Sequence, residues 1–509
     1  MKRIGLLSTS LLPLVTMAQK PNVVMIVADD LGYGDISCYG ATRVCTPNVD
    51  DLARQGLRFT DAHCVASTST PSRYGMLTGM YPFRKPDTNI AAGDASMIIP
   101  PDQYTIADLF KDNGYSTAAI GKWHLGLGST AGAQDWNGVV DQTPNDLGFD
   151  YSYLMAATAD RVPCVFIEQG RVANYDSTAP IRVSYRKPLE GEVTYHMTQE
   201  SLLKLKSSHG HDNAVVNGIG RIGYMTGGGK ALWKDEDIAD SITSHALQFL
   251  EKHQDDPFFL YLATNDVHVP RYPHDRFRGK NPMGLRGDAI AQFDWTVGQV
   301  TAKLKELGLT DNTIIILTSD NGPVLDDGYM DQAPELAGNH RPGGHMRGGK
   351  YSAFEAGSTI PFIVSWPGHI TQGKVSNALF SQIDIMGSLA QLLKTTLPAD
   401  AGVDTRAELK AMTGKARRGT QYNISMSSNR SLTIRTARWK YIEPSPGGPL
   451  MKLVNIETGF TRQEQLYDIT SDPGETVNVA DKYPKTVAKL KRILHKTRQA
   501  YHRMPAQVP

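Results

Sequence analysis

The chain has 509 residues, 40% of them hydrophobic and 21% charged, which is enough to bury a large core and more than one usual domain holds. Its 53 Lys and Arg face 52 Asp and Glu, for a net charge of +1. That balance gives no electrostatic basis for nucleic acid or an anionic membrane as partner, so recognition of any anion rests on locally placed cations.

Residues 1–18 read as an export signal: Lys2 and Arg3 precede an apolar run from Ile4 to Val15, and small residues flank a cut after Ala18. Pro13 and the missing amphipathic period argue against a buried helix. No later run is long enough to span a bilayer and no Cys stands at the cut to take a lipid, so the expected mature protein is soluble and exported, periplasmic or secreted. Cys38, Cys45, Cys64 and Cys164 are too few for a disulfide framework and include no C-x-x-C pair; a Cys38–Cys45 bridge stays open.

Residues 22–28, NVVMIVA, form a continuous apolar, β-branched run that suits a strand buried on both faces, followed directly by Asp29 and Asp30. Thr46-Pro47 opens a helix with Val49, Leu52 and Ala53 inward and Gly56 at its end. Residues 64–79 then read CVASTSTPSRYGMLTG. Pro71 suits the first position of a short helix, which puts Ser69 just before it, where free N–H groups and the helix dipole favour an anion, with Arg73 one turn in. Cys64 does not share this spacing, since Ala66 and Thr68 stand where Pro71 and Arg73 stand relative to Ser69; it reads as a small buried hydrophobe.

A helix of the same design, 105–113 closed by Gly114, feeds a strand at 116–120 that ends in Gly121-Lys122-Trp123-His124. From 125 to about 229 the periodicity is weak and Gly, Pro, Ser and His recur, which predicts inserted loops and short strands that carry specificity. Helical patterning returns at 235–253, followed by a strand at 258–264 and Asn265-Asp266-Val267-His268. Ile290, Phe293, Val297, Val300, Leu304 and Leu307 fall on one helical stripe. The strand 313–318 ends in Ser319-Asp320-Asn321-Gly322, a Gly-rich charged loop runs to Lys350, and 360–365 is a further strand. Past about Pro398 the texture changes: 433–441 and 464–468 predict strands of a small antiparallel sheet, and 484–501 a basic helix with Val487, Leu490, Leu494 and Tyr501 inward. The expected division is therefore a signal at 1–18, a main domain at 19–398 and a smaller one at 399–509.

Four buried strands alternate with helices, and each ends in a polar cluster: Asp29 and Asp30, Lys122 and His124, His268, Asp320 and Asn321. Ligands of an open α/β sheet bind outside the carboxyl ends of its strands, so these clusters are expected to converge on one site. Asp29, Asp30, Asp320 and Asn321 offer hard oxygen donors, which suit Ca²⁺ or Mg²⁺, and several carboxylates in an all-protein cage favour Ca²⁺. Taken singly such dipeptides are ordinary strand-to-turn punctuation, and Arg73, Lys122, His124, His268 and Lys350 each have a bland explanation. Collected beside a divalent cation, they describe a pocket for a tetrahedral oxyanion with His available for proton transfer.

The stretch S-T-P-S-R from Ser69, running on through Leu77-Thr78-Gly79, resembles the signature of the type I sulfatases, in which Cys or Ser before x-P-x-R is oxidised to formylglycine. PNVVMIVADDLGYGD, GKWHLG, LTSDNG, RGGKYSAFEAGSTIPFIV and LYDITSDPGE look like that family's landmarks in its order. The resemblance implies an alkaline-phosphatase-like α/β fold, a mixed sheet flanked by helices with a smaller C-terminal α+β subdomain. It implies Asp29, Asp30, Asp320, Asn321 and the oxidised residue 69 as Ca²⁺ ligands, Arg73 and Lys122 around formylglycine, and His268 and Lys350 on the sulfate. It further implies His268 as proton donor to the leaving oxygen and His124 as proton acceptor in sulfate release. The chain departs from the family's pattern in having Ser at 69, as in enzymes matured by an oxygen-independent radical oxidase, and Thr359 where E-G-G-x-R-x-P has Arg.

The implied substrate is a sulfated carbohydrate cut at a chain end, with an aryl sulfate, or a phosphodiester or phosphonate of the same superfamily, as alternatives; a non-catalytic glycan-binding protein would not need the intact set from Ser69 to Lys350. Asp160, Arg161, His209, His211, Arg221, Arg271, His274 and His345 are the candidates for sugar hydroxyls, with Asp160, Arg161 and His211 foremost.

Overall fold

In the computed structural model, which describes residues 20–500, the run 22–28 is a strand, β1 (Asn22–Ala28), buried at every position. The expected export signal and Tyr501 lie outside the described residues. After β1 come α1 (Pro47–Gln55), β2 (Leu57–Phe59), α2 (Ser69–Thr78), α3 (Ile106–Asp112), β3 (Ser116–Lys122), β4 (Tyr151–Met155), β5 (Phe166–Glu168) and β6 (Arg171–Val172). Then follow α4 (Ile238–Lys252), β7 (Phe258–Ala263), α5 (Gly284–Glu306), β8 (Thr313–Ser319), β9 (Phe362–Ser365), β10 (Lys374–Ser376) and α6 (Asp384–Leu393). The chain closes with β11 (Asn423–Met426), β12 (Leu432–Arg435), β13 (Trp439–Ile442), β14 (Gln465–Asp468) and α7 (Pro484–Ala500).

Among the described residues the main sheet has ten strands in the order β10-β2-β9-β8-β1-β7-β3-β4-β5-β6. Its centre, β8-β1-β7-β3-β4, is parallel, with Val24 opposite both Leu260 and Ile315, and β9 and β5 flank that centre antiparallel. Strands buried on both faces need apolar side chains along most of their length, which is why β7 and the middles of β1 and β8 read as unbroken runs, with buried polar residues at the ends of β1 and β8. Two groups of helices flank the sheet: α4 packs on α5 and α5 on α1, while α2 packs on α3 and α6. The predicted caps are in place, with Thr46 before α1, Thr105 accepting from the N–H groups of Ala107 and Asp108, and Gly114 at φ 76°.

Two expectations change. The segment after residue 125 is not wholly an insertion, because β4 pairs parallel with β3 and carries β5 and β6 outward as part of the main sheet. Five residues with a polar Ser152 are too short a pattern to announce a scaffold strand; Ser152 Oγ donates to Asn145 Oδ1 at 2.8 Å. The expected strand 433–441 is two strands, β12 and β13, joined by a tight turn that Thr436 closes: its Oγ1 accepts from Trp439 N at 3.0 Å, in place of the Gly or Asn that would have marked it.

The four strands β11-β12-β13-β14 form an antiparallel sheet whose apolar face packs on Val487, Leu490 and Leu494 of α7. The same core takes in Val65 and Ala66, and Ser67 N donates to Met426 O while Met426 N donates to Val65 O. The segment entering α2 is thus held by β11 on one side, and by the residues before β9 on the other, where Cys64 N donates to Ser358 O.

Asp35, in the loop after β1, joins α5 to the loop at 340: Arg286 grips its carboxylate with two bonds of 2.7 Å, and His340 Nε2 lies 2.7 Å from Oδ1. Burial opposes the charged form, yet the Arg286 guanidinium and His340 bring the Asp35 carboxyl down to about 2. A carboxyl lowered on folding stabilises the protein above its unfolded value of about 3.9, and that stabilisation is lost as pH falls from there toward 2. Asp35→Asn leaves the Arg286 charge buried and unpaired, with an expected loss of about 3–5 kcal/mol at pH 7. Urea midpoints measure it: the gap between wild type and variant should shrink between pH 5 and pH 3, and an unchanged midpoint at pH 7 removes the pair from the stability of the fold.

Candidate active site

The carboxyl ends of β8, β1, β7 and β3 lie side by side, so Asp320 and Asn321, Asp29 and Asp30, His268, and Lys122 and His124 come together as their strand order requires. Asp30 and His124 both take left-handed backbone conformations, at φ 57° and 58°, which turn the chain sharply at each strand end. Gly121 is required where it stands: at φ 101°, a Cβ there would lie 1.9 Å from the Ala263 carbonyl oxygen of β7.

Helix α2 starts two residues earlier than Pro71 predicts, with Thr68 extended as its cap and Ser69 as its first residue. Pro71 is then the third helical residue, still within the first turn, where its missing N–H removes no helical hydrogen bond. Ser69 Oγ accepts from Lys122 Nζ at 3.0 Å and lies 3.2 Å from Asn321 Oδ1 and 3.4 Å from Asp29 Oδ1. Arg73 Nε donates to Asp320 Oδ2 at 3.0 Å, and Lys122 Nζ to Asp29 Oδ2 at 2.6 Å. Asn321 Nδ2 donates to Asp30 Oδ1 at 2.7 Å, and Lys350 Nζ bridges Asp30 and Asp327 at 2.8 and 2.7 Å.

Burial raises the Asp29 carboxyl to about 8, with Asp320 and Asp30 adding to the rise and Lys122 only partly offsetting it. Asp320 is held far below the ordinary carboxylate range, because Arg73 and Lys122 outweigh its burial. Three buried carboxylates, an amide oxygen and the oxygen of residue 69 make a hard, oxygen-rich set. The donor set therefore fits a divalent cation of the Ca²⁺ type. Asp29, Asp30 and His268 also present ligand atoms within 4.8 Å of one another.

Above this floor a cavity of about 320 Å³ is lined by Ser69, His124, His268 and Lys350 together with Asp160, Arg161, His209 and His211. Arg161 Nη1 lies 2.9 Å from both Asp160 oxygens, and His211 Nε2 2.9 Å from Asp160 Oδ2, so these three form one cluster on the wall. His268 is kept neutral by burial and by Lys350, and donates from Nδ1 to Val269 O at 2.6 Å. Burial and Lys122 likewise keep His124 neutral; its Nε2 donates to Ala91 O at 3.0 Å, which leaves Nδ1 unprotonated, buried and without a hydrogen-bond partner.

Arg221, Arg271, His274 and His345 do not line this cavity. Arg221 is buried against Asp235 with bonds of 2.9 and 2.6 Å, Arg271 is paired with Asp331 at 2.6 Å, His274 accepts from Arg276 N, and His345 stands edge-on to Tyr33. Thr359, where the family's Arg is missing, bonds His63 away from the cavity, and the nearby Glu355 is neutralised instead by Arg435 and Lys440 from β12 and β13. Sequence reasoning missed Asp327 and Tyr351, whose hydroxyl donates to Asp327 at 3.0 Å, and the apolar residues Ile90, Ile222, Met451, Leu453 and Val454. The D-D-G at 326–328 was a signal for the first; the others have none.

The family model described as Sulfatase matches residues 21–395. The chain is 52% identical over 477 residues to the N-acetylgalactosamine-6-O-sulfatase of Bacteroides thetaiotaomicron, covering 94% of this chain and 93% of that one. It is 30% identical to human arylsulfatase A over 94% of this chain and 88% of the relative. A solved structure from work on glycosaminoglycan metabolism by Bacteroides thetaiotaomicron superposes with a TM-score of 0.93 at 51% identity, covering 95% of this chain and all of that one.

Cys64 is fully buried, its Sγ 3.1 Å from Ala66 O, and burial pushes its thiol up to about 12. Iodoacetamide at pH 8 should therefore label the exposed Cys45 of the native protein and leave Cys64 unlabelled until the chain is denatured, as peptide mass mapping would show. Native labelling of Cys64 would reopen the thiol as a reactive group.

Proposed function

The chain is a member of the sulfatase family, and on that premise we propose that it removes the 6-O-sulfate of an N-acetylgalactosamine at the end of a glycan chain. One observation carries the reading: Ser69, at the start of α2, lies against Lys122 and the acidic cluster on the floor of a cavity whose wall carries the Asp160–Arg161–His211 cluster. A pocket with a closed floor and hydrogen-bonding walls admits one terminal sugar and excludes the interior of a polymer. The substrate is taken from the relative that is 52% identical.

In this reading Asp29, Asp30, Asp320, Asn321 and residue 69 hold Ca²⁺. When present, formylglycine at residue 69 supplies a hydrated aldehyde as nucleophile and Ca²⁺ supplies the positive charge that activates it. Arg73 and Lys122 balance the charge around residue 69, and Lys350 and His268 bind the sulfate. His124, with its unprotonated Nδ1, is the base that accepts a proton as sulfate leaves. His268 is neutral before substrate arrives, and the negative charge of a bound sulfate is what raises it toward the proton-donating form. Asp160, Arg161 and His211 hold the sugar hydroxyls. Against its burial Lys350 is held charged by Asp30 and then Asp327, and Asp327 is a positioning residue that aims it across the floor.

Residues 1–18 serve export to the periplasm or medium, in keeping with the sequence pattern; among the described residues no helix is long and apolar enough to cross a membrane. Maturation requires an oxidase that accepts Ser at position 69.

The tryptic peptide ending at Arg73 should lack two hydrogens, or carry the hydrate, in native active enzyme; an unmodified Ser69 in fully active protein would sink the mechanism. Asp320→Ala and exhaustive chelation should each reduce turnover on the order of 10³-fold or more, and full activity after either removes these residues from a metal site. Arg161→Ala or His211→Ala should lower kcat/KM on the sulfated sugar on the order of a hundredfold while leaving a small aryl sulfate within about threefold. Equal losses on both substrates would assign the two residues to the fold.

A further inference from the structure

Part of the cavity mouth is apolar, and two of its side chains stand in water. Ile90 is 42% exposed and Leu453 65%, whereas Ser69, Lys350 and His268 below them are 3%, 4% and 5% exposed. Met451 ends the first of two short strands, Leu450–Met451 and Ile456–Glu457, Leu453 lies in the turn between them, and Ile90 precedes the Ala91 carbonyl that fixes His124. Val324, Val454 and Ile456 form a small core with Met451 and Tyr351 against it, so the lip is anchored at its base while Leu453 stands free. Aliphatic side chains gathered in water at the rim of a polar cavity are unfavourable until something covers them.

Resting on the reading of a 6-O-sulfated sugar, we infer that Ile90, Met451 and Leu453 form a subsite for the acetamido methyl group of an N-acetylhexosamine. The sulfate of such a sugar hangs from C6, outside C5, and C2 stands across the ring from C5. With the sulfate on the floor between Lys350 and His268, the C2 substituent points to the mouth, where the lip stands. The exposed side chains of the lip are aliphatic, and Tyr351, the ring at its base, packs against the small core with its hydroxyl on Asp327, so the lip matches a methyl group better than the broad face of a further pyranose. A sugar with a free C2 hydroxyl has no methyl for the lip to cover and keeps that hydroxyl in the water at the mouth, so the lip selects by the methyl it covers.

The test compares matured enzyme on 6-O-sulfated N-acetylgalactosamine, 6-O-sulfated galactose and a small aryl sulfate. Wild type should favour the acetylated sugar in kcat/KM by about tenfold or more. Leu453→Ser and Ile90→Ser should each cut that preference about fivefold, acting on the acetylated sugar and leaving galactose 6-sulfate and the aryl sulfate within about twofold. Calorimetric affinities of the two sugars for Ser69→Ala protein, which cannot be matured, should show the same preference without turnover. Equal efficiency of wild type on the two sugars, or equal losses on both in the variants, overturns the lip while leaving the sulfated-sugar reading intact. Turnover of the aryl sulfate with neither sugar accepted overturns that reading and the lip with it.

Discussion

The structure depends on one constraint: three carboxylates, Asp29, Asp30 and Asp320, are buried together at the ends of neighbouring strands. Removing such charges from water costs several kcal/mol each, and they repel one another at short range, so the arrangement survives only where cations and hydrogen-bond donors are delivered to the same place. Lys122 arrives from β3, Arg73 from α2, and Lys350 from the long loop after β8. The parallel centre of the sheet makes this delivery possible, because adjacent parallel strands end on the same edge and each can contribute a polar group at its terminus. With Asp327, which shares Lys350, four carboxylates face these three cations, and this oxygen-rich floor fits a divalent cation.

The second sheet does more than add a core. Its edge strand β11 takes up Val65 to Ser67, so the approach to Ser69 is fixed on one side by the residues before β9 and on the other by residues more than 350 positions later. The same part of the chain returns to the cavity through Met451, Leu453 and Val454. Floor and wall chemistry thus belongs to the strand ends and their loops, whereas the mouth is shared with the C-terminal residues.

Much of this was legible because burial writes directly into sequence. A strand covered on both faces must be apolar along most of its length, so β1, β7 and β8 are visible as runs, and the polar residues that end them stand out by contrast. The spacing of Ser69, Pro71 and Arg73 is equally explicit, although the helix began at Ser69 itself because the first turn tolerates proline beyond its first position. Short or hydroxyl-closed elements left no such trace. Strand β4 has five residues and a polar Ser152, and the β12–β13 turn is closed by Thr436, which no turn rule singles out.

The sequence by itself determined the order of the long strands and helices, the strand-end clusters, the register that picks Ser69 over Cys64, and the hard-oxygen character of the floor, since each follows from local periodicity or from residue type at fixed spacing. Only the tertiary structure decided which loop residues serve the cavity. Asp160, Arg161, His209 and His211 line it, whereas Arg221 and Arg271 spend their charges on buried partners, and Asp327 joins through Lys350. The physical reason is that a polar side chain in a loop looks the same whether it faces a ligand or a buried counter-charge; its role is set by what the fold brings opposite it. The apolar lip shows the converse, because Leu453 and Ile90 are ordinary hydrophobic residues in sequence and become distinctive only once the fold leaves them in water at the mouth of a polar pocket.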